Sequence, residues 1–161
     1  DYRPGAIRQS HPLERQGPQY AYQSYRAWRN VCHWIHLNTP RDCLFLTPRN
    51  QQTFKWYAGR AELVSWKDIP QDPESIVRWQ RLLGEVYTPE VIESGLGSWS
   101  DEQLREITKR HNIDYILIDR TRTGRRLGFQ RVYPPQSCAN VDFEVYRTFQ
   151  QSRAGNESDA L

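Results

Sequence analysis

Apolar positions recur with helical spacing between about Tyr20 and Leu37, at Tyr25, Trp28, Val31, Cys32 and Ile35. Asn38-Thr39-Pro40 ends that pattern, because the residue before a proline avoids the helical region. Asp42 follows in a turn. The apolar run Cys43–Leu46 is short, which predicts a buried strand. Asn50 reads as a helix cap, Gln51 to about Ala58 as a helix with Phe54, Tyr57 and Ala58 inward, and Gly59 as its stop. Ala61–Trp66 predicts a second strand. Strand, helix, strand in this order predicts a parallel pair joined by a right-handed crossover.

Asp72-Pro73-Glu74 carries a cap, a proline at the first helical position and an acid in the first turn. Ile76, Trp79, Leu83 and Val86 keep one face of the helix it opens, to about Tyr87. Residues 88–99, with Gly95 and Gly97, read as a loop. Ser100 and Gln103 make a capping box for a helix over 101–110, with Leu104 and Ile107 inward. Ile113–Asp119 is the strongest strand signal, and its near-continuous apolar core predicts burial on both faces. Two more strands are predicted near 128–133 and 141–147, separated by Pro134-Pro135.

The expected fold is α/β: a three-layer, Rossmann-like sandwich with a mainly parallel sheet in the order two-one-three, closed by a C-terminal antiparallel strand pair. One domain is expected over 21–149. Residues 1–20, with Pro4, Gly5, Pro12, Gly17 and Pro18, read as a linker or arm, and 150–161 as a disordered tail.

Composition adds to this picture in three places. Only 37% of the 161 residues are apolar, but six Trp, nine Tyr and five Phe compensate, since each ring buries a large area. The net charge of +3 is too small to point to nucleic acid, and no nucleic-acid partner is expected. Its make-up is unusual: 19 Arg against 3 Lys. That bias fits bidentate recognition of carboxylate or phosphate, and equally the codon usage of a GC-rich genome.

Cys32, Cys43 and Cys138 lack metal-type spacing, and His33 and His36 have no acidic or cysteine partner at useful distance. Neither a metal nor another cofactor is expected. No apolar run approaches the ~18 residues that span a bilayer. The chain contains no Met and opens at Asp1, so a piece of a longer protein is expected.

In open α/β sheets, ligands bind beyond the carboxyl ends of the strands. Three loops are expected at that edge: Thr47-Pro48-Arg49-Asn50, Lys67-Asp68, and Asp119 to Arg126. Thr47, Arg49, Asn50, Lys67, Arg120, Arg122, Arg125 and Arg126 are therefore the candidate contacts for an anion. Against this stands the absence of a glycine-rich phosphate turn, and polar loops flank every sheet edge. Arg60 falls on the opposite edge, where an ion pair with Asp42 is expected.

No nucleophile elbow, zinc-protease helix or tight carboxylate cluster occurs, and no catalytic residue is assigned. Asp114 and Asp119 bracket the central strand. Trp56, Tyr57 and Trp66 read either as core or as a surface for sugar rings or a membrane interface.

Trp34-Ile35, Asn38-Thr39-Pro40, Asp42, Phe45–Pro48, Phe54–Arg60 and Asp114–Asp119 form a recurrent set. Over roughly residues 24–147 it resembles an uncharacterised soluble C-terminal domain of bacterial multi-pass membrane proteins. It is similar to the extracytoplasmic domains of mannosyltransferase-like enzymes that use lipid-linked sugars. In such enzymes the catalytic acids lie in the membrane portion, so the resemblance implies no catalytic residue here. It implies a non-catalytic, extracytoplasmic (periplasmic) domain tethered to the membrane, positioning a substrate or partner. Its partners would be the membrane-embedded part of the same chain and a lipid-linked sugar or anionic lipid headgroups. The alternative is a soluble binding module for a nucleotide, phosphate or phosphosugar at the same edge.

Overall fold

The helical stripe of Trp28, Val31, Cys32 and Ile35 becomes the buried face of α1 (Pro18–Asn38). The computed structural model describes residues 17–136 and 141–148, so the proposed tail, Cys138 and most of the proposed arm lie outside the described residues. Gly17 and Pro18, read as part of the arm, instead cap and open α1. Thr39 ends it, with its N–H and hydroxyl both donating to Ile35 O.

After α1 come β1 (Leu44–Leu46), α2 (Phe54–Ala58) and β2 (Ala61–Glu62). Next are α3 (Pro73–Val86), α4 (Pro89–Ser94), a 3-10 turn (Leu96–Ser98) and α5 (Asp101–Arg110). The chain closes with β3 (Tyr115–Asp119), β4 (Gln130–Tyr133) and β5 (Phe143–Arg147).

The described residues thus form an α/β domain with five helices and a five-stranded sheet in the order β2-β1-β3-β5-β4. β1 pairs in parallel with β2 and β3, whereas β5 runs antiparallel to both β3 and β4. The sheet is therefore mixed, not mainly parallel, and the likeness to a Rossmann-type sheet is partial. β2 is much shorter than the expected Ala61–Trp66, because the chain leaves the ladder after Glu62. The start of α2 is also corrected. It begins at Phe54 with Thr53 at the cap position, so Asn50 caps nothing and residues 47–53 are a loop.

Residues 88–99, read as a loop, hold α4 and the 3-10 turn. Thr88 caps α4 by accepting from Val91 N, Pro89 opens it and Glu90 lies in its first turn. The same grammar starts α3, where Asp72 accepts from Ser75 N. The capping box of Ser100 and Gln103 on α5 is present as expected, a feature worth about 1 kcal/mol.

Alternation along the strands sends the core to both sides. Leu46, Ile116, Ile118 and Tyr146 join residues of α3–α5. Phe45, Tyr115, Leu117, Phe143 and Val145 join α1 and α2. Rings meet there between strands and between sheet and helix: Phe45 of β1 stacks on Tyr115 of β3 with centroids 5.0 Å apart, and Phe143 of β5 meets Trp28 of α1 at 5.2 Å.

Arg60 is only 6% exposed and holds two helix ends together. Its guanidinium donates to His36 O and Thr39 O at the end of α1, to Ala58 O and Gly59 O at the end of α2, and to Thr39 Oγ1. These carbonyls lack partners within their helices, and the negative ends of both helix dipoles face the cation. Gly59 makes the turn possible with φ +62°, a conformation that favours glycine.

Candidate functional site

Two crossovers run on opposite faces of the sheet, the first from β1 to β2 and the second from β2 to β3. α2 lies on one face between β1 and β2, and α3–α5 lie on the other before β3. The strand order therefore reverses between β1 and β3, the place where open α/β sheets leave a crevice at their carboxyl ends. A crevice is found there, lined by Pro48, Arg49 and Asn50 after β1 and by Asp119 and Arg122 at the end of β3. Ile92, Gly95 and Leu96, from α4 and the 3-10 turn, make its third wall. The sequence signals that wall weakly, because Gly95 and Gly97 make residues 88–99 read as a loop.

The crevice is narrow, about 20 Å³, room for one water-sized group. Arg49 lies over the Trp66 ring at 5.4 Å and makes no hydrogen bond among the described residues. Arg122 donates through Nη1 to Ile92 O (3.0 Å) and Glu93 O (3.3 Å), which leaves Nε and Nη2 without a partner among the described residues. Asn50 is exposed at the rim. Asp119 Oδ1 accepts from Thr121 N and Oγ1, so this carboxylate is already organised within its own turn. Burial, and then the charge of Asp119, push the Asp142 carboxyl above the usual carboxylate range. Asp119 lines the crevice beside Arg49 and Arg122.

The other candidates lie away from the crevice, and Thr47, Arg120 and Arg125 are spent on the fold. Thr47 is 2% exposed; its hydroxyl donates to Glu62 Oε2 and its carbonyl accepts from Tyr87 OH. Burial raises the Glu62 carboxyl and Thr47 partly offsets it, while burial pushes Tyr87 up to about 12. Lys67 sits over the Trp66 ring at 5.7 Å and does not line the crevice. The Trp66 Nε1 atom is buried and has no hydrogen-bond partner among the described residues.

Arg125 donates to Gly97 O, Trp99 O and Asp101 Oδ1, tying its loop to the 3-10 turn and α5. Arg120 donates to Arg125 O and stands 3.6 Å from Glu144, which is 2% exposed. Glu144 also takes Arg131 and the hydroxyl of Tyr146, and burial followed by that contact pushes Tyr146 up to about 12. Arg126 is exposed and does not line the crevice. The structure therefore unites Arg49, Asn50 and Arg122, and keeps the other five candidates apart from them.

Asp114 is structural as well, since its Oδ2 accepts from Leu44 N between β1 and β3. Among the described residues no three His, Cys, Asp or Glu side chains gather as metal ligands would. No described helix is long and apolar enough to cross a membrane. Trp56 is 88% exposed on α2, while Phe54 and Ala58 carry that helix's core contacts.

Residues 26–86 match an uncharacterised family, described as a domain of unknown function, DUF6798. The match runs from α1 to the end of α3 and so contains Arg49, Asn50 and Lys67. It stops before β3, so the crevice joins the matched region to Asp119 and Arg122 outside it. No curated protein matches the chain.

Proposed function

We propose that this α/β domain is a non-catalytic module that positions an anionic group at the carboxyl edge of its sheet. One observation carries the reading. The loops after β1 and β3 converge on one crevice, and Arg49 and Arg122 bring guanidinium nitrogens there that the fold itself does not use. An anion engages them at the mouth, since the crevice admits only a water-sized group. Bidentate guanidinium contacts suit a phosphate or carboxylate.

The setting is part of the proposal: an extracytoplasmic domain tethered to a membrane-embedded part of the same chain, in a protein related to lipid-linked-sugar glycosyltransferases. Its support is the resemblance of the motif set from Trp34 to Asp119. The finer expectation of a Rossmann-like three-layer sandwich belongs here too, supported by the β2-β1-β3 portion of the sheet and core on both faces. A free-standing binding module for a nucleotide, phosphate or phosphosugar is the second reading. In its favour, the described domain supplies every wall of the crevice.

Titration of inorganic phosphate, a phosphosugar and anionic vesicles against the wild type and an Arg49→Ala/Arg122→Ala variant tests the binding site. Saturable binding weakened at least about tenfold in the variant is expected. Equal binding, or none, in both proteins overturns the site. Coding sequence upstream of Asp1 tests the setting: several hydrophobic spans support the tether, and a soluble domain or start codon removes it.

A further inference from the structure

Asn50 borders a second hollow. On its far side an open cleft of about 260 Å³ lies between α1 and the segment 50–57. Tyr25 and Tyr57, with the largely buried Trp28 behind them, are its aromatic lining, and Asn50, Gln51 and Gln52 line it as well. Among the described residues no Asp, Glu, Lys, Arg or His side chain lines it. Such a lining fits an uncharged ligand that is polar at its edge and apolar on a face. Primary amides donate and accept at once, which suits neighbouring hydroxyl groups. Aromatic rings suit the C–H face of a pyranose. The volume lies a little under the ~300–1,000 Å³ of sites for drug-sized molecules, as a single ring requires.

The cleft is also braced. Arg29 donates to Tyr25 OH at 3.2 Å and lies 4.0 Å over the Tyr57 ring, and the two phenol oxygens are 3.5 Å apart. Trp28 Nε1 donates to Thr53 Oγ1 at 2.9 Å, fixing the loop to α1. Groups ordered in advance lose less freedom when a ligand arrives.

We propose that this cleft binds the ring of a hexopyranose, and that its junction with the crevice at Asn50 selects a sugar bearing a phosphate. The second half rests on the anion reading above; the first does not.

The test uses the whole 161-residue chain and amide-resolved NMR. The probes are methyl hexopyranosides, a hexose 1-phosphate, inorganic phosphate and adenosine. A hexopyranoside is expected to shift the signals of residues 50–53 with roughly millimolar affinity. Gln51→Ala/Gln52→Ala, and separately Tyr25→Ala at an exposed position, are expected to weaken it about tenfold. Arg122→Ala is expected to leave the uncharged sugar unaffected and to remove the extra affinity of the hexose phosphate. No shift at 50–53 with any hexopyranoside overturns the cleft, as does an unchanged shift in both variants or a response to adenosine alone. A sugar response that phosphate never strengthens keeps the cleft and overturns the phosphate half.

Discussion

The loops 47–53 and 120–126 stand side by side at one sheet edge, and they use polarity in opposite ways. Residues 120–126 hold four arginines, yet two are committed, Arg120 to the Arg125 carbonyl and Glu144 and Arg125 to Gly97, Trp99 and Asp101, and Arg122 spends one of its three guanidinium nitrogens on the end of α4. Residues 47–53 hold one arginine, and it rests on Trp66 with its hydrogen-bonding capacity unused among the described residues. The richer loop is largely a brace and the poorer one the open surface. Recognition depends on donors that the fold leaves over, and composition counts all donors alike.

Removing a brace has the largest expected effect. Arg125→Ala strips a carboxylate and two carbonyls of their partner and is expected to lower stability by about 2–3 kcal/mol in urea unfolding. A change within about 0.5 kcal/mol would make loop 120–126 an ornament and break the contrast.

Gly97→Ala comes next. A methyl there would lie 2.3 Å from Thr123 Cγ2 and 2.8 Å from its Cβ, so loop 120–126 must move away from the 3-10 turn. About 1–2 kcal/mol of overpacking is expected, read as a lower thermal midpoint.

The Asp101–Arg125 pair predicts a pH effect. Burial raises the Asp101 carboxyl, but hydrogen bonds from Arg125 and Gly128 N outweigh it and hold the group below its usual value. A depressed folded pKa contributes stability that is present above the unfolded value and lost as pH falls through the folded one. Asp101→Asn is therefore expected to be less stable than wild type near about pH 6, with the gap closing below about pH 4. A gap constant across urea midpoints at both pH values would contradict this.

The smallest stability effect is expected at Arg49. Arg49→Ala is expected within about 0.5 kcal/mol of wild type, while anion binding falls. A loss above about 1 kcal/mol would place Arg49 among the braces and erase the difference between the loops.

Much of the fold was legible because its signals are local. α1, α3 and α5 follow apolar spacing, and the caps Asp72 and Ser100 stand where they were read. β3 was legible from its unbroken apolar run, since it lies inside the sheet between β1 and β5. α4 was not, although Thr88-Pro89-Glu90 repeats the signature of Asp72-Pro73-Glu74. Its six residues offer too little periodicity, and Gly95 and Gly97 dominate the reading. Asn50 looked like a cap because caps and loop amides are the same residue types, and only backbone geometry separates them.

The site was legible as an edge but not as a set of residues. Strand order put Arg49 and Arg122 together, which a parallel β1–β3 pairing requires. Nothing in the sequence distinguishes Arg122 from Arg125. The distinction arises from the acceptors each meets: two α4 carbonyls at Arg122, and Gly97 O, Trp99 O and the Asp101 carboxylate at Arg125. Arg60 shows the same limit, since it joins the carbonyl of its neighbour Gly59 to that of His36, 24 residues earlier at the end of α1.

The outer strands govern how the molecule behaves in company. β2 is two residues long, and β4 pairs with a shift in register between Arg131 and Tyr133, just before Pro134. An edge this short or this irregular is a poor template for a further strand. Copies of the domain are thereby discouraged from stacking edge to edge, even at high local concentration. Among the described residues the loops at the carboxyl end and the outer helix faces offer partners more than the sheet margins do.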